Sequence, residues 1–113
     1  MNKDVAVKWV KALRSGEYTQ IGHTLQNSQG YCCLGVLCKI GGIDGVLINT
    51  LSGQIKGGAL DDQPAIKEWA GMRTGSGKFK FKHQNNNLMA LNDHEEYTFE
   101  QIADVIEKEW ENL

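Results

Sequence analysis

The spacing of apolar residues predicts a helix at each end of the chain. In residues 3–15 the apolar side chains recur at the spacing of one helical face, at Ala6, Trp9, Val10 and Leu13. Asn2 can cap this helix and Gly16 can end it. A longer apolar stripe runs from Thr98 to about Asn112, and it opens with a threonine followed three residues later by glutamine, the capping-box pattern. Two amphipathic terminal helices are therefore expected.

A third apolar segment lies in the first half of the chain. Residues 31–40 are almost wholly apolar and are followed by two glycines. The glycine pair favours a short buried helix from Cys32 to Ile40, although a buried strand fits the same run. Gly35 would then let another backbone segment approach closely. Proline in the first turn and a glycine after the last predict another short helix over residues 64–70.

The clearest strand signal is the alternation of lysine and phenylalanine from Lys78 to Lys82. Alternation places both phenylalanines on one face of the strand and the lysines on the other. Residues 84–87, all amides, are interpreted as a turn or loop. Residues 88–91 follow as a single helical turn that ends at Asn92.

The remaining segments give weaker signals. Residues 17–31 suggest a short strand and a turn, and residues 43–60 fit short strands or an irregular loop equally well. Taken together, the elements predict a small single domain over residues 1–113 of the α+β class. We expect its N-terminal and C-terminal amphipathic helices to pack on a short antiparallel sheet.

The net charge of −2 conceals an uneven distribution. Residues 1–92 carry eleven basic and six acidic side chains, a balance of +5, whereas residues 93–113 carry one basic and eight acidic side chains, a balance of −7. A basic body suits an anionic ligand, and the acidic final segment would repel a long polyanion. The charge pattern therefore favours a small phosphorylated ligand and argues against long nucleic acid as a partner.

Composition bears on the cellular location of the protein and on its partners. No run approaches the roughly 20 apolar residues needed to cross a bilayer, and the first residues lack the apolar core of a signal peptide. We expect a cytoplasmic protein with no membrane partner. A domain of 113 residues has a thin core, so self-association is also expected.

Three cysteines, Cys32, Cys33 and Cys38, are candidates for metal binding or thiol chemistry. Their spacing does not match the C-x-x-C pattern of structural zinc sites, and we interpret them as small buried hydrophobic residues. A reactive Cys32 at a helix N-terminus, with His23 or His83 as base, is the alternative. No nucleotide-hydrolase or hydrolase motif is present. We expect no metal, no cofactor and no enzymatic activity.

The strand beginning at Lys78 has the composition of a ligand-binding surface. Arg73 and two glycines precede it, and an amide-rich segment follows. Aromatic rings can stack on bases, cations can neutralise phosphates and amides can read base edges. The alternative is a purely structural strand with Phe79 and Phe81 in the core.

Two groups of motifs resemble a family of small proteins found mainly in phages and prophages. VKWVKALRSGEYTQ and YCCLGVLC resemble its N-terminal half, and IKEWAGM, LMALND and TFEQIADVIE resemble its C-terminal half. In overall layout this family is similar to the first class of Thoeris anti-defence proteins, which act as phage signal sponges. The resemblance implies a protein that sequesters cyclic ADP-ribose-type messengers of bacterial TIR enzymes, and in some cases cyclic oligonucleotides, without degrading them. It also implies sites between the subunits of a homodimer, with hexamers possible.

The resemblance implies an aromatic residue for base stacking and an asparagine for polar recognition, which Phe81 and Asn92 match here. The full set of residues expected at the ligand site is Phe81, Asn92, Arg73, Arg14, Lys80, His23 and Tyr18. Two other hypotheses stay open. The protein could inhibit a host protein by binding it through the YCCLGVLC run or the acidic last helix, or it could degrade the same type of ligand.

Overall fold

The computed structural model describes residues 1–113 and contains five α-helices and two small antiparallel sheets. The helices are α1 (Lys3–Arg14), α2 (Cys33–Gly41), α3 (Pro64–Ala70), α4 (Leu88–Asp93) and α5 (Phe99–Glu109). The strands are β1 (Gln26–Asn27), β2 (Gly30–Tyr31), β3 (Lys78–Phe81) and β4 (Gln84–Asn87). Short 3-10 helices occupy Leu60–Asp62 and Trp110–Asn112. The predicted α+β class is confirmed, and no helix is long and apolar enough to cross a membrane.

The terminal helices pack mainly on each other and not on a sheet. α1 lies against α5 and α2, and α4 joins α2 to α5. The Trp9 indole, fully buried at the centre of this packing, donates a hydrogen bond to the Cys33 carbonyl (2.9 Å). Each sheet has only two strands, which is too little surface to cover two helices. The sheets therefore lie outside a helical core, which refines the predicted packing.

The capping signals at both terminal helices are confirmed. The Val5 amide donates to the Asn2 side chain (3.2 Å), which satisfies one free N–H of the first turn of α1. At α5, the Gln101 amide donates to the Thr98 hydroxyl (3.2 Å) and the Thr98 amide donates to the Gln101 side chain (2.9 Å). The predicted capping box is therefore present, and α5 continues through its 3-10 turn to Asn112.

α2 is the most buried element of the molecule. Its side chains from Cys33 to Cys38 are all buried, and it ends at Gly42 in the left-handed conformation (φ 58°). The helix interpretation of this run is therefore right. A Cβ on Gly35 would overlap the carbonyl oxygen of Leu25, so the predicted close approach of another backbone is present. Because α2 is buried in the core, its side chains are not available to a partner protein. The hypothesis that the YCCLGVLC run is a contact surface is therefore wrong.

The interpretation of residues 84–87 as turn or loop is wrong. They form β4, which pairs with β3 in the register Lys78 with Asn87 and Phe81 with Gln84. The turn lies at Lys82 and His83, both with positive φ (50° and 65°), as in a type I′ hairpin turn. Asparagine and glutamine have low strand propensity, so pairing with β3 decides the conformation.

Residues 17–31 form less strand than predicted. The turn lies between β1 and β2, and the earlier part of the segment contributes one isolated bridge, from Gln20 to Tyr31. The predicted helix over residues 64–70 is confirmed as α3 and ends at Gly71 (φ 68°). Within α3, Trp69 is half-buried.

Residues 47–56 form a hairpin-like loop, here termed the 47–56 loop. The Lys56 amide donates to the Leu47 carbonyl (3.0 Å), which closes the loop. The buried Gln63 side chain accepts from the Leu47 amide (2.8 Å) and donates to the carbonyls of Leu47 (2.7 Å) and Lys56 (2.8 Å). At the tip, Leu51 is 98% exposed.

Candidate functional site

A basic groove lies beside the β3–β4 hairpin and is here termed the hairpin groove. Its volume is about 570 Å³. Its lining consists of Arg73, Thr74, Lys78, Phe79, Lys80, Asn85, Asn86, Asn87 and Asn112. Three of these residues are cations and none is a carboxylate. The groove therefore presents positive charge and amides to whatever enters it.

The register of the hairpin explains why these side chains lie together. Lys78 pairs with Asn87, and Lys80 pairs with Asn85. Directly paired residues of an antiparallel sheet project to the same face. Two lysines and two asparagines therefore share one face of the hairpin, while the phenylalanines lie on the other.

The loop before β3 adds the third cation to the groove. The backbone amide of Arg73 donates to the Leu113 carbonyl (2.6 Å), which fixes the loop against the end of the chain. The Thr74 hydroxyl accepts from the Lys78 amide (2.8 Å) and holds the start of β3. Both ion pairs of the structure involve Arg14, so neither Arg73 nor the two groove lysines form an ion pair with an acidic side chain.

Two of the four asparagines of the groove, Asn86 and Asn87, use their side-chain oxygens within the protein. The Asn87 side-chain oxygen accepts from the Ala90 amide (2.7 Å) as the cap of α4, and the Asn86 oxygen accepts from the Asn87 amide (2.8 Å). With both oxygens engaged, the side-chain nitrogens of Asn86 and Asn87 remain to donate to a ligand, whereas the Asn112 nitrogen donates to Glu109 (2.9 Å). Donor groups beside cations suit an acceptor-rich anion such as a phosphate.

The phenylalanine face of the hairpin borders a smaller crevice of about 160 Å³ against α5. Phe79 is 7% exposed and belongs to the core, whereas Phe81 is 56% exposed and opens onto the crevice. Tyr97 and Val105 complete its apolar wall. Phe79 therefore fits the interpretation of the strand as structural, whereas Phe81 is accessible to a ligand.

Asn92 lies at the centre of a hydrogen-bond network and is 8% exposed. Its side-chain oxygen accepts from the Gln20 side chain (2.9 Å) and from the Cys33 amide at the start of α2 (3.2 Å). Its nitrogen donates to the Ile21 carbonyl (2.8 Å) and to the Asp93 carboxylate (2.9 Å). All four hydrogen-bonding positions of the amide are therefore used inside the protein.

The other expected site residues lie apart from the hairpin groove. Arg14 forms ion pairs with Asp104 (2.7 Å) and Glu107 (2.8 Å) on α5. These hydrogen bonds, first to Glu107 and then to Asp104, raise the pKa of Arg14. Tyr18 packs edge-on against Tyr31 with ring centroids 5.4 Å apart, and burial is the main cause that raises the pKa of Tyr18.

His23 lies close to Asn92 and not in the groove. Its amide donates to the Asp93 carboxylate (3.0 Å), and its ring lies 5.4 Å from that of His94. Of the seven expected residues, the structure places Arg73 and Lys80 in the groove. Phe81 lies on the adjoining crevice, and the others lie elsewhere in the chain.

The three thiols are buried and protonated at neutral pH. Burial is the main cause that raises the pKa of Cys32 to about 11 and that of Cys38 to about 12. Burial also raises the pKa of Cys33 well above the usual thiol value. Because the thiolate is the nucleophile and the metal ligand, this environment favours the interpretation of these cysteines as small hydrophobic residues.

The lysine strand and the amide segment after it were expected to have a ligand-binding composition, but Lys78, Asn85 and Asn87 were not among the seven expected site residues. The pairing of β4 with β3 brings these three residues into the groove. Asp93, also absent from that set, accepts from both His23 and Asn92 in the hydrogen-bond network around Asn92. The signal that was available was the strict alternation from Lys78 onward, extended through a two-residue turn into the amides.

Comparison with known proteins identifies a family and no activity. No curated protein and no solved structure matches the chain. The model of a domain of unknown function, DUF8296, matches residues 1–110, which is nearly the whole chain. The chain therefore belongs to the DUF8296 family.

Proposed function

We propose that this protein binds a small phosphorylated nucleotide-type ligand in the hairpin groove and sequesters it without changing it. The observation that carries the proposal is the set of Arg73, Lys78 and Lys80 around one groove that has no lining carboxylate. By its resemblance to Thoeris anti-defence proteins, the ligand is a cyclic ADP-ribose isomer, with cyclic oligonucleotides as further candidates. On this proposal the chain is a phage protein that acts in the bacterial cytoplasm.

The size and chemistry of the groove support this ligand class. A volume of about 570 Å³ falls within the range of small-molecule sites, about 300 to 1,000 Å³. Guanidinium and ammonium groups make charge-assisted hydrogen bonds to phosphate oxygens. The neighbouring amide nitrogens can donate to ribose or base acceptors. One compact ligand with two phosphates would use all three cations.

The lining groups also support binding without reaction. The groove offers cations, amides, one hydroxyl group and one phenyl ring, which can hold and orient an anion. Its lining has no carboxylate, imidazole or thiol, the groups that act most often as general base or strong nucleophile. A sponge needs only to bind more tightly than the host effector, which means submicromolar affinity, about 8 kcal/mol or more.

Calorimetry with a panel of cyclic ADP-ribose isomers and cyclic oligonucleotides tests the proposal. We expect submicromolar binding of at least one ligand and recovery of that ligand intact after the protein is heated. Lys78→Ala and Lys80→Ala should each weaken binding about tenfold, because each removes a phosphate contact of about 1.4 kcal/mol. Lys8→Ala is the matched control, since Lys8 is exposed on α1 and lies outside the groove.

Three outcomes count against the proposal. If no member of the panel binds, the ligand class is wrong. If Lys8→Ala weakens binding as much as the groove variants do, general charge and not the groove is responsible. If a new product appears on chromatography after incubation, the protein is an enzyme acting on this ligand and not a sponge.

A second candidate function, inhibition of a host protein by direct binding, is favoured by the 47–56 loop. Leu47, Ile48 and Leu51 are 47%, 44% and 98% exposed, respectively. Exposed apolar side chains grouped in one loop are typical of protein contacts. A pull-down that returns one stoichiometric host protein with the wild type, and loses it with Leu51→Asp, would favour this function over the sponge.

The proposed sponge also self-associates. The resemblance implies a homodimer that can assemble into hexamers, with ligand held between subunits. Burial of the groove against a second subunit would exclude water and strengthen each phosphate contact. Sedimentation analysis with and without bound ligand measures whether binding and assembly are coupled.

A further inference from the structure

A glycine-rich loop connects two cations of the hairpin groove. Residues 74–77, with the sequence Thr-Gly-Ser-Gly, lie between Arg73 and Lys78 and are here termed the glycine loop. Thr74 lines the groove together with both cations. The loop therefore lies at the edge of the candidate site, and the hydrogen bonds of its backbone show what it can bind.

The carbonyl groups of the glycine loop are directed into the protein. Three consecutive carbonyls, those of residues 75–77, accept hydrogen bonds from backbone amides of neighbouring elements. The donors are Leu60 (2.9 Å), Met89 (3.1 Å) and Leu88 (3.0 Å), in that order. Because Leu60 and Leu88 are fully buried, the loop is fixed to the core through its oxygen atoms.

The amide groups of the same loop have no acceptor in the chain. None of the four N–H groups of residues 74–77 donates to a backbone carbonyl, and none donates to a side chain. The peptide bonds are all trans, and the C=O and N–H of a trans peptide unit point in opposite directions. The Ser76 amide therefore points away from Leu60, and the Gly77 amide points away from α4.

The next amide shows which side of the loop these donors face. The Lys78 N–H donates to the hydroxyl of Thr74 (2.8 Å), a residue of the groove lining. Gly77 is buried, and a buried N–H without an acceptor is rare in proteins. The loop therefore presents unpaired donors that require an acceptor from outside the chain.

The charges around these amides favour an anion as that acceptor. Arg73 and Lys78 lie at the two ends of the loop, and neither forms an ion pair. The Asp61 carboxylate also lies close, since a Cβ on Gly75 would fall 2.5 Å from its carbon, but it accepts no hydrogen bond from the loop. Two positive charges against one negative charge leave a net attraction for an anion.

We propose that the glycine loop is a main-chain site for a phosphoryl group. The amides of Ser76 and Gly77 donate to its oxygens, and Arg73 and Lys78 neutralise its charge. Successive amides in a turn form concave sites that bind anions, and hydrogen bonds to a charged oxygen are stronger than those to a neutral one. The inference rests on the proposed function for the rest of the ligand, and it assigns the phosphoryl end of a nucleotide to this corner of the groove.

Titration with inorganic phosphate at constant ionic strength, followed by amide NMR, tests the loop without any nucleotide. We expect saturable downfield shifts of the Ser76 and Gly77 amides, with a dissociation constant of about 1 mM. AMP should shift the same amides, and adenosine, which has no phosphoryl group, should leave them in place. Loop amides that do not move, or that move without saturation, overturn the proposal.

Two variants separate the main chain from general charge. Ser76→Pro removes one donor whose N–H has no partner in the chain, and Arg73→Ala removes one cation. Each should weaken phosphate binding about tenfold, whereas Lys8→Ala, on exposed α1, should leave it unchanged. The dispersion of the NMR spectrum checks that each variant folds, and equal losses with Arg73→Ala and Lys8→Ala overturn the proposal.

Neutralising the nearby carboxylate provides a test in the opposite direction. Asp61→Asn should strengthen phosphate binding about threefold, because it removes the one negative charge shown beside the loop. Binding that stays the same or weakens in this variant counts against a phosphoryl group in the loop. If phosphate shifts the loop while the calorimetric panel of nucleotides fails to bind, the proposed function fails and this inference stands. Nucleotide binding that leaves the loop amides in place gives the reverse result.

Discussion

Replacement of Asn92 by alanine separates a structural role of this residue from a role in ligand binding. Truncation removes all four hydrogen bonds of the amide. The Cys33 amide, which is buried, would lose its side-chain acceptor, and the Ile21 carbonyl would lose its donor. An orphaned buried group costs about 1–3 kcal/mol, whereas Gln20 and Asp93 can turn to water at little cost. We expect Asn92→Ala to lower the free energy of unfolding by about 3 kcal/mol.

This loss is large for a chain of 113 residues, whose total stability is on the order of 10 kcal/mol. With a urea slope of about 1.5 kcal/mol per molar, the denaturation midpoint falls by about 2 M. Fluorescence of the buried Trp9 reports the transition. Asn85→Ala is the control, because Asn85 is exposed, has no side-chain hydrogen bond and lines the groove. It should change stability by less than about 0.5 kcal/mol and weaken ligand binding.

Asn92→Asp sharpens the same test. It keeps the acceptor for the Cys33 amide but loses both donors and places a second carboxylate beside Asp93. We expect destabilisation comparable to that of the alanine variant at neutral pH, and less at acidic pH, where one carboxyl is protonated. The reasoning is refuted if Asn92→Ala keeps the wild-type midpoint and loses only ligand affinity.

Three further predictions concern the backbone and the thiols. Gly35→Ala should cost about 3 kcal/mol or more in urea denaturation, because the new methyl overlaps the Leu25 carbonyl; an unchanged midpoint would contradict the close approach. The double variant Lys82→Asn/His83→Gly should raise stability by about 1 kcal/mol, since both turn residues have positive φ; a lower melting temperature would oppose the turn assignment. Burial holds the pKa of Cys32 at about 11, against 9.0 when unfolded. This thiol should therefore leave the free energy of unfolding unchanged below about pH 9 and lower it above that by about 1.4 kcal/mol per pH unit until pH 11. Urea titrations at several pH values measure the decline, which should be shallower in Cys32→Ala.

Much of the fold was predictable because its signals are local. The apolar stripes and caps of α1 and α5 depend on residues within one or two turns of each other. The proline and glycine that bound α3 act in the same way. β4 was missed because its amides have no strand preference of their own, and its conformation depends on Lys78–Phe81 pairing across the turn.

The candidate site was less predictable, because its residues acquire their roles from distant parts of the chain. Asn92 and Arg14 are both chemically suited to a ligand, but their partners lie about 60 to 90 residues away in sequence. Only the fold shows that these partners occupy them. Arg73 and Lys80, two of the expected ligand-binding residues, lie together in the groove because the groove is built largely from one contiguous hairpin and the loop before it.

The attachment of the 47–56 loop through Gln63 has a consequence for how the protein opens. Three hydrogen bonds from this one side chain hold both ends of the loop, and the Ile55 amide donates one more to Gln26 (2.8 Å). These hydrogen bonds and the buried Ile55 side chain hold the base of the loop, whereas its tip around Leu51 lies in solvent. The tip can therefore rearrange as a unit of low local stability while the base and the helical core stay folded. The amides of the tip should exchange with solvent far faster than those of α2, and an apolar contact made by Leu51 could form without breaking the hydrogen bonds of Gln63.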